Sequence, residues 1–154
     1  MQRRTRTLSR FLALSATERR TVLAAMALLP LFRIMLGLVG LQRLQARLHR
    51  PSRPGATQPA LDDLKRTGAL VNAASHRVLG PDNCLTRSLY LWWLLRRSGV
   101  YCQLRIGVRP SGERLDAHAW VEHAGIPVND RSDVGADFPP FDEAVSPSRF
   151  SSLG

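Results

Sequence analysis

The sequence predicts an α+β fold, with helices in its first part and a small antiparallel sheet after them. Three observations lead there. Apolar residues recur at helical intervals up to Gly99. From Cys102 they alternate with polar residues at a period of two, and turn signals around Gly112 and Gly125 divide that stretch into three short strands. Helices followed by a meander form the α+β pattern, with a central helix on an antiparallel sheet. A chain of 154 residues suits one compact domain with an appended helical segment. Its 44% hydrophobic and 22% charged residues exclude disordered and collagen-like classes.

Ser15-Ala16-Thr17-Glu18 has the capping-box pattern, so a helix is expected to start there. It should end or kink at Pro30, because proline removes an intrahelical hydrogen bond. A second helix is expected from Leu31 to Leu48, with Arg43 and Arg47 near its C-terminus. Together they make an apolar, basic helical hairpin. Thr21 to Leu41 is long and apolar enough for a membrane span, but Pro30 and Arg33 interrupt it. A central arginine costs about 2.5–3.5 kcal/mol in a bilayer. The stretch also lacks the Ala-x-Ala-like site of a signal peptide. A cytoplasmic protein is expected, with peripheral membrane contact through residues 15–50 kept as an alternative.

The net charge of +10 belongs to the N-terminal part, where residues 1–53 hold eleven arginines against one acid, Glu18. Such an arm suits anionic lipid or an acidic protein. Without aromatic platforms or a zinc pattern beside the arginines, no nucleic-acid partner is expected. Pro51 to Pro59 reads as a linker, dividing the chain into a basic helical segment 1–50, a linker 51–59 and a domain 60–154.

After the linker, Leu61, Leu64, Val71, Ala74 and Val78 lie near one helical face, and Gly80-Pro81 ends that helix. Asp82 and Asn83 can cap the next, which is apolar on several sides through Trp92, Trp93 and Leu95 and is therefore central. Cys102 to Val108 is the first strand, and Pro110-Ser111-Gly112-Glu113 is its turn. The second strand, Leu115 to His123, places Asp116, His118, Trp120 and Glu122 on one face. Ile126 to Asp130 returns as an edge strand, since Pro127 cannot donate to a ladder. The tail from Arg131 is expected to wrap over the sheet.

Cys84 falls at a predicted helix N-terminus, where unpaired amides and the helix dipole favour a negative thiolate and can support an oxyanion. Read blandly, it is a small buried hydrophobe, and Cys102 on the apolar strand face fits that reading better. A three-residue turn at His123-Ala124-Gly125 would set His118 directly opposite Asp130, where a carboxylate can orient an imidazole. Asp116 and Glu122 share that face as rival orienters. His49, His76 and His123 read as solvated or turn residues. No Cys-x-x-Cys, His-Glu-x-x-His or Gly-rich phosphate loop is present, so neither a metal nor a cofactor is expected.

Cys84-Leu85-Thr86-Arg87-Ser88-Leu89, Leu104 to Val108, Ala117-His118-Ala119-Trp120-Val121-Glu122 and Pro127-Val128-Asn129-Asp130 resemble the stand-alone transglutaminase-like leader peptidases of lasso-peptide biosynthesis. The spacings of 34 and 12 residues between Cys84, His118 and Asp130 match that family's pattern. The resemblance covers about residues 58–145. It implies a papain-like core, a Cys84, His118, Asp130 triad, and cleavage of a leader from a precursor peptide. It also implies two partners, a separate winged-helix-like leader-recognition protein and an ATP-dependent lasso cyclase. Two alternatives stay open: acyl transfer to an amine by the same triad, and a non-catalytic membrane- or partner-binding adaptor.

Overall fold

The computed structural model describes residues 11, 13–49, 58–112 and 114–140. Its order is α1 (Ala16–Val39), α2 (Leu41–Leu48), α3 (Leu61–Val78), α4 (Cys84–Arg97), β1 (Gln103–Ser111), β2 (Arg114–His123), β3 (Ile126–Pro127) and a short α5 (Val134–Asp137). The sheet is antiparallel in the order β1-β2-β3. Helices plus this sheet make the expected α+β fold. Most of the linker assigned to 51–59 lies outside the described residues, as does the tail beyond Pro140.

The capping box forms as the sequence requires: Ser15 Oγ accepts from Glu18 N, and Glu18 Oε2 accepts from Ser15 N. The expected break at Pro30 does not occur. α1 runs on for 24 residues and stops at Gly40, whose φ of 80° favours glycine. An interior proline costs about 3 kcal/mol. Here the cost is offset because Ala25, Leu29 and Phe32, on both sides of Pro30, are all buried in one core. The helical hairpin anticipated around Pro30 is therefore one long helix followed by a short one. Arg66 Nε donates to Glu18 Oε1 at 2.7 Å and ties α3 to α1. That contact leads the interactions holding the Glu18 carboxyl below its ordinary range.

α1 is long and apolar enough to cross a membrane, yet its Ala25, Leu29, Phe32 stripe belongs to the protein core. Its other side leaves Leu23, Leu31, Ile34 and Leu38 exposed, Leu38 to 81%.

α4 is central, as its all-round apolarity implies. Leu89, Tyr90, Leu91, Trp92 and Leu95 are buried, with α1 and α3 packed on one side and β2 on the other. Asn83 stands at its N-cap position but does not cap it. Its buried side chain accepts from Ser75 Oγ and donates to Gly80 O instead, fixing the connection from α3.

The β1–β2 ladder continues to Ser111↔Arg114, so Pro110 and Ser111 belong to the strand and not to the turn. The β2–β3 turn also differs from expectation. It has two residues, Ala124 and Gly125, with φ of 49° and 76°, and pairs Glu122 with Pro127. Both central residues have the positive φ of a tight hairpin turn. The register is thus one residue away from the one that set His118 opposite Asp130, and β3 stops at Pro127 and not at Asp130.

α3 and the segment after β3 approach closely at Gly68, where a Cβ would lie 2.2 Å from Val128 O. Gly68→Ala should therefore lower stability by about 1–3 kcal/mol through forced displacement. Gly37→Ala in α1 meets no atom within 4 Å and should raise it by about 0.5–1 kcal/mol. Urea denaturation of both variants checks the opposite signs.

Candidate active site

Cys84 is the first residue of α4 and is half-buried. Intrahelical bonding starts only with Arg87 N, which donates to Asn83 O at 3.1 Å. Because the Asn83 side chain is engaged elsewhere, the amides of Cys84, Leu85 and Thr86 have no acceptor among the described residues. Unpaired amides at a helix start are donors available to an anion. Arg33, Leu36 and Gly37 of α1 join Asp82 and residues 83–86 in lining a cavity of about 360 Å³ beside Cys84. The N-terminal helix thus forms one wall of the groove at the thiol, a role the sequence did not suggest.

His118 and Asp130 do meet. His118 Nε2 and Asp130 Oδ2 are 2.7 Å apart, with side-chain exposures of 21% and 15%. The shifted register does not prevent this, because the ladder ends before Asp130. Val128 N still donates to Val121 O at 2.9 Å, but Val121 N then takes the Asn129 side-chain Oδ1 as its acceptor at 2.8 Å. Asn129 replaces the strand with a side-chain bond, and the backbone turns Asp130 towards His118. The other Asp130 oxygen accepts from Arg131 N at 2.9 Å. With Nε2 donating to the carboxylate, Nδ1 is the nitrogen left to accept a proton.

The rival orienters are occupied. Glu122 accepts from Arg105 Nε at 2.9 Å and Trp120 Nε1 at 2.8 Å, and Asp116 pairs with Arg109 at 3.5 Å. His123 Nδ1 lies 2.7 Å from Tyr101 O.

Cys84 Sγ makes no hydrogen bond among the described residues, to His118 or to any other group. α4 and β2 are linked one turn further along: Ser88 Oγ donates to Ala119 O at 2.9 Å and accepts from Asn129 Nδ2 at 3.0 Å. Ser88 and Cys84 are four residues apart and share a helix face. The buried Asn129 therefore joins the helix carrying Cys84 to the strand carrying His118 and precedes Asp130 itself. Apo sites often hold their reacting groups farther apart than the reactive complex does.

Phe138 and Gly107 were not legible as site residues. The Phe138 ring lies 5.0 Å from the His118 ring, with Trp120 at 6.2 Å and the Arg109 guanidinium 4.5 Å over Phe138. The tail crosses β1 at Gly107, which pairs with His118, and a Cβ there would stand 2.3 Å from Phe138 O. The aromatic residue in the tail was visible in the sequence, but nothing placed it over His118.

Cys102 is 1% exposed, and burial pushes its thiol up to about 12, opposed in part by Arg96. A thiol ionising near 9.0 when unfolded and near 12 when folded costs stability as pH rises through that window. At pH 8, iodoacetamide should label Cys84 and leave Cys102 unmodified in the folded protein. Peptide mapping of the alkylated sites checks this. Among the described residues no group of three His, Cys, Asp or Glu side chains is arranged to hold a metal ion.

A family model described as the transglutaminase-like superfamily matches residues 25–141. No curated protein and no solved structure matches the chain.

Proposed function

The chain belongs to the transglutaminase-like superfamily, and on that premise we propose that it is a cysteine peptidase using Cys84, His118 and Asp130. The superfamily includes cysteine peptidases and transglutaminases, and it suggests cysteine-type chemistry in general. The observation that carries the proposal is the 2.7 Å pairing of Asp130 with His118, whose strand β2 is joined through Ser88 to the helix that begins with Cys84.

In the proposed reaction, His118 Nδ1 takes the thiol proton and the Cys84 sulfur attacks a substrate carbonyl. The free amides at the α4 start donate to the oxyanion, as preorganised donors do. His118 then gives its proton to the leaving amine. Water, deprotonated by the same nitrogen, cleaves the thioester and restores the thiol. Asp130 holds the imidazole and offsets its transient positive charge.

The proposed substrate is a lasso-peptide precursor, cleaved between leader and core. The motif residues at Cys84, His118 and Asp130 support this reading. A separate winged-helix-like protein would present the leader, and an ATP-dependent cyclase would receive the core amine. We further propose the cytoplasm as the site of action, with α1 touching the membrane or the recognition protein through its exposed apolar side.

The experiment combines a precursor peptide with this protein, with and without the recognition protein. Expected are free leader and core in the complete mixture and little cleavage when either protein is omitted. An intact precursor in the complete mixture would contradict the proposal. Acyl transfer is the second reading, favoured by the transglutaminases within the same superfamily. A product joined to an added amine in place of a free carboxyl would establish it.

A further inference from the structure

α1 turns a continuous apolar row to solvent. Leu23, Ala27, Leu31, Ile34 and Leu38 recur every three or four residues, the spacing of a single helix face. Ala24 widens the row, and all six residues are exposed, the leucines and the isoleucine by about half or more. At a rise of 1.5 Å per residue the row is about 22 Å long. Single exposed leucines are ordinary on a protein surface, whereas an unbroken row marks a contact surface. The opposite face of α1, with Ala25, Leu29 and Phe32, already packs in the core, so the helix is held to the domain without this row.

Cations frame the row, and acids do not. Arg20 lies on the same face one turn before Leu23, and the exposed Arg43 and Arg47 of α2 follow the other end. Among the described residues no carboxylate pairs with any of these three arginines. From Ala16 to Leu48 the one acid is Glu18, which Arg66 engages. A second copy of the chain laid on the row would bring the cations of two chains together in either direction, with no acid to compensate. Anionic lipid complements both features, because it offers an apolar layer beneath a plane of negative headgroups.

We propose that α1 and α2 dock this protein on the surface of an anionic lipid membrane. The row enters the boundary between headgroups and acyl chains, and Arg20, Arg43 and Arg47 reach the phosphates while their stems lie along the apolar layer. Because Ala25, Leu29 and Phe32 stay in the protein core, α1 lies along the membrane and does not cross it. Arg33, Leu36 and Gly37 of the same helix line the groove beside Cys84, so docking holds that groove at the lipid surface. The inference rests on the proposed function only in taking the open side of α1 as a contact face; vesicle binding is measured without substrate, so it and the peptidase reading fail separately.

The test is co-sedimentation of the full chain with phosphatidylcholine vesicles and with vesicles that also contain phosphatidylglycerol. Expected is binding to the mixed vesicles and binding about a hundredfold weaker to phosphatidylcholine alone, since three cations near an anionic surface contribute about fivefold each. Salt at about 1 M should remove most of that preference, as should Arg43→Glu combined with Arg47→Glu. Leu31→Glu combined with Leu38→Glu should weaken binding to the mixed vesicles by about tenfold or more, as loss of one buried leucine already implies. Both leucines are exposed, so circular dichroism and thermal unfolding should stay as in the wild type. The proposal is overturned if neither vesicle binds the protein, if both bind it equally, or if the paired leucine variant binds as the wild type does. Absence of vesicle binding, with association to the recognition protein or to a second copy lost in that variant, would overturn it and assign the row to a protein partner.

Discussion

Cys84→Ala should lower precursor cleavage by about 10⁴-fold or more while leaving the fold intact, since loss of the nucleophile in comparable triads has an effect of that order. The thiol is half-buried and makes no hydrogen bond among the described residues, so its removal should change stability by no more than about 1 kcal/mol. Cleavage rates and thermal unfolding measured on the same preparation check both parts. Undiminished cleavage by a folded Cys84→Ala protein would exclude Cys84 from the mechanism and favour the adaptor alternative.

The second large effect belongs to Asp130. Asp130→Asn keeps the size of the side chain and an acceptor for His118 but removes the charge that favours the protonated ring. Turnover should fall on the order of 10⁴-fold, as it does when the acid of a Ser-His-Asp triad is neutralised. The effect should fall on kcat with KM little changed, because the carboxylate contacts the imidazole and not the substrate. An equal rise in KM, or a loss of folded protein in denaturation profiles, would indicate a structural role instead.

Local signals made the helix starts and the strands legible. Ser15 and Glu18 marked the start of α1, and alternation marked β1 and β2. The errors came where tertiary packing overrides local preference. Pro30 did not break α1 because the residues around it share a core with α4. Asn83 did not cap α4 because Ser75 and Gly80 engage its side chain.

The pairing of His118 with Asp130 was anticipated, but the register invoked for it was one residue out. The contact arises because Asn129 leaves the ladder and bonds Val121 and Ser88 through its side chain. No periodic signal reports such a departure. Likewise, Gly107 reads as an ordinary strand glycine until the tail is seen crossing it, and Phe138 as one aromatic among several. Arg33 and Leu36 read as parts of a separate helical segment, whereas they line the groove beside Cys84.

The most direct test of a hydrolytic centre at Cys84, His118 and Asp130 is digestion of the precursor, with its recognition protein, in water enriched in heavy oxygen. The wild-type protein should release a leader carrying one heavy oxygen in its new terminal carboxyl, and Cys84→Ala should release none. Equal release by Cys84→Ala, or a leader ending in an amide to an added amine, would contradict it.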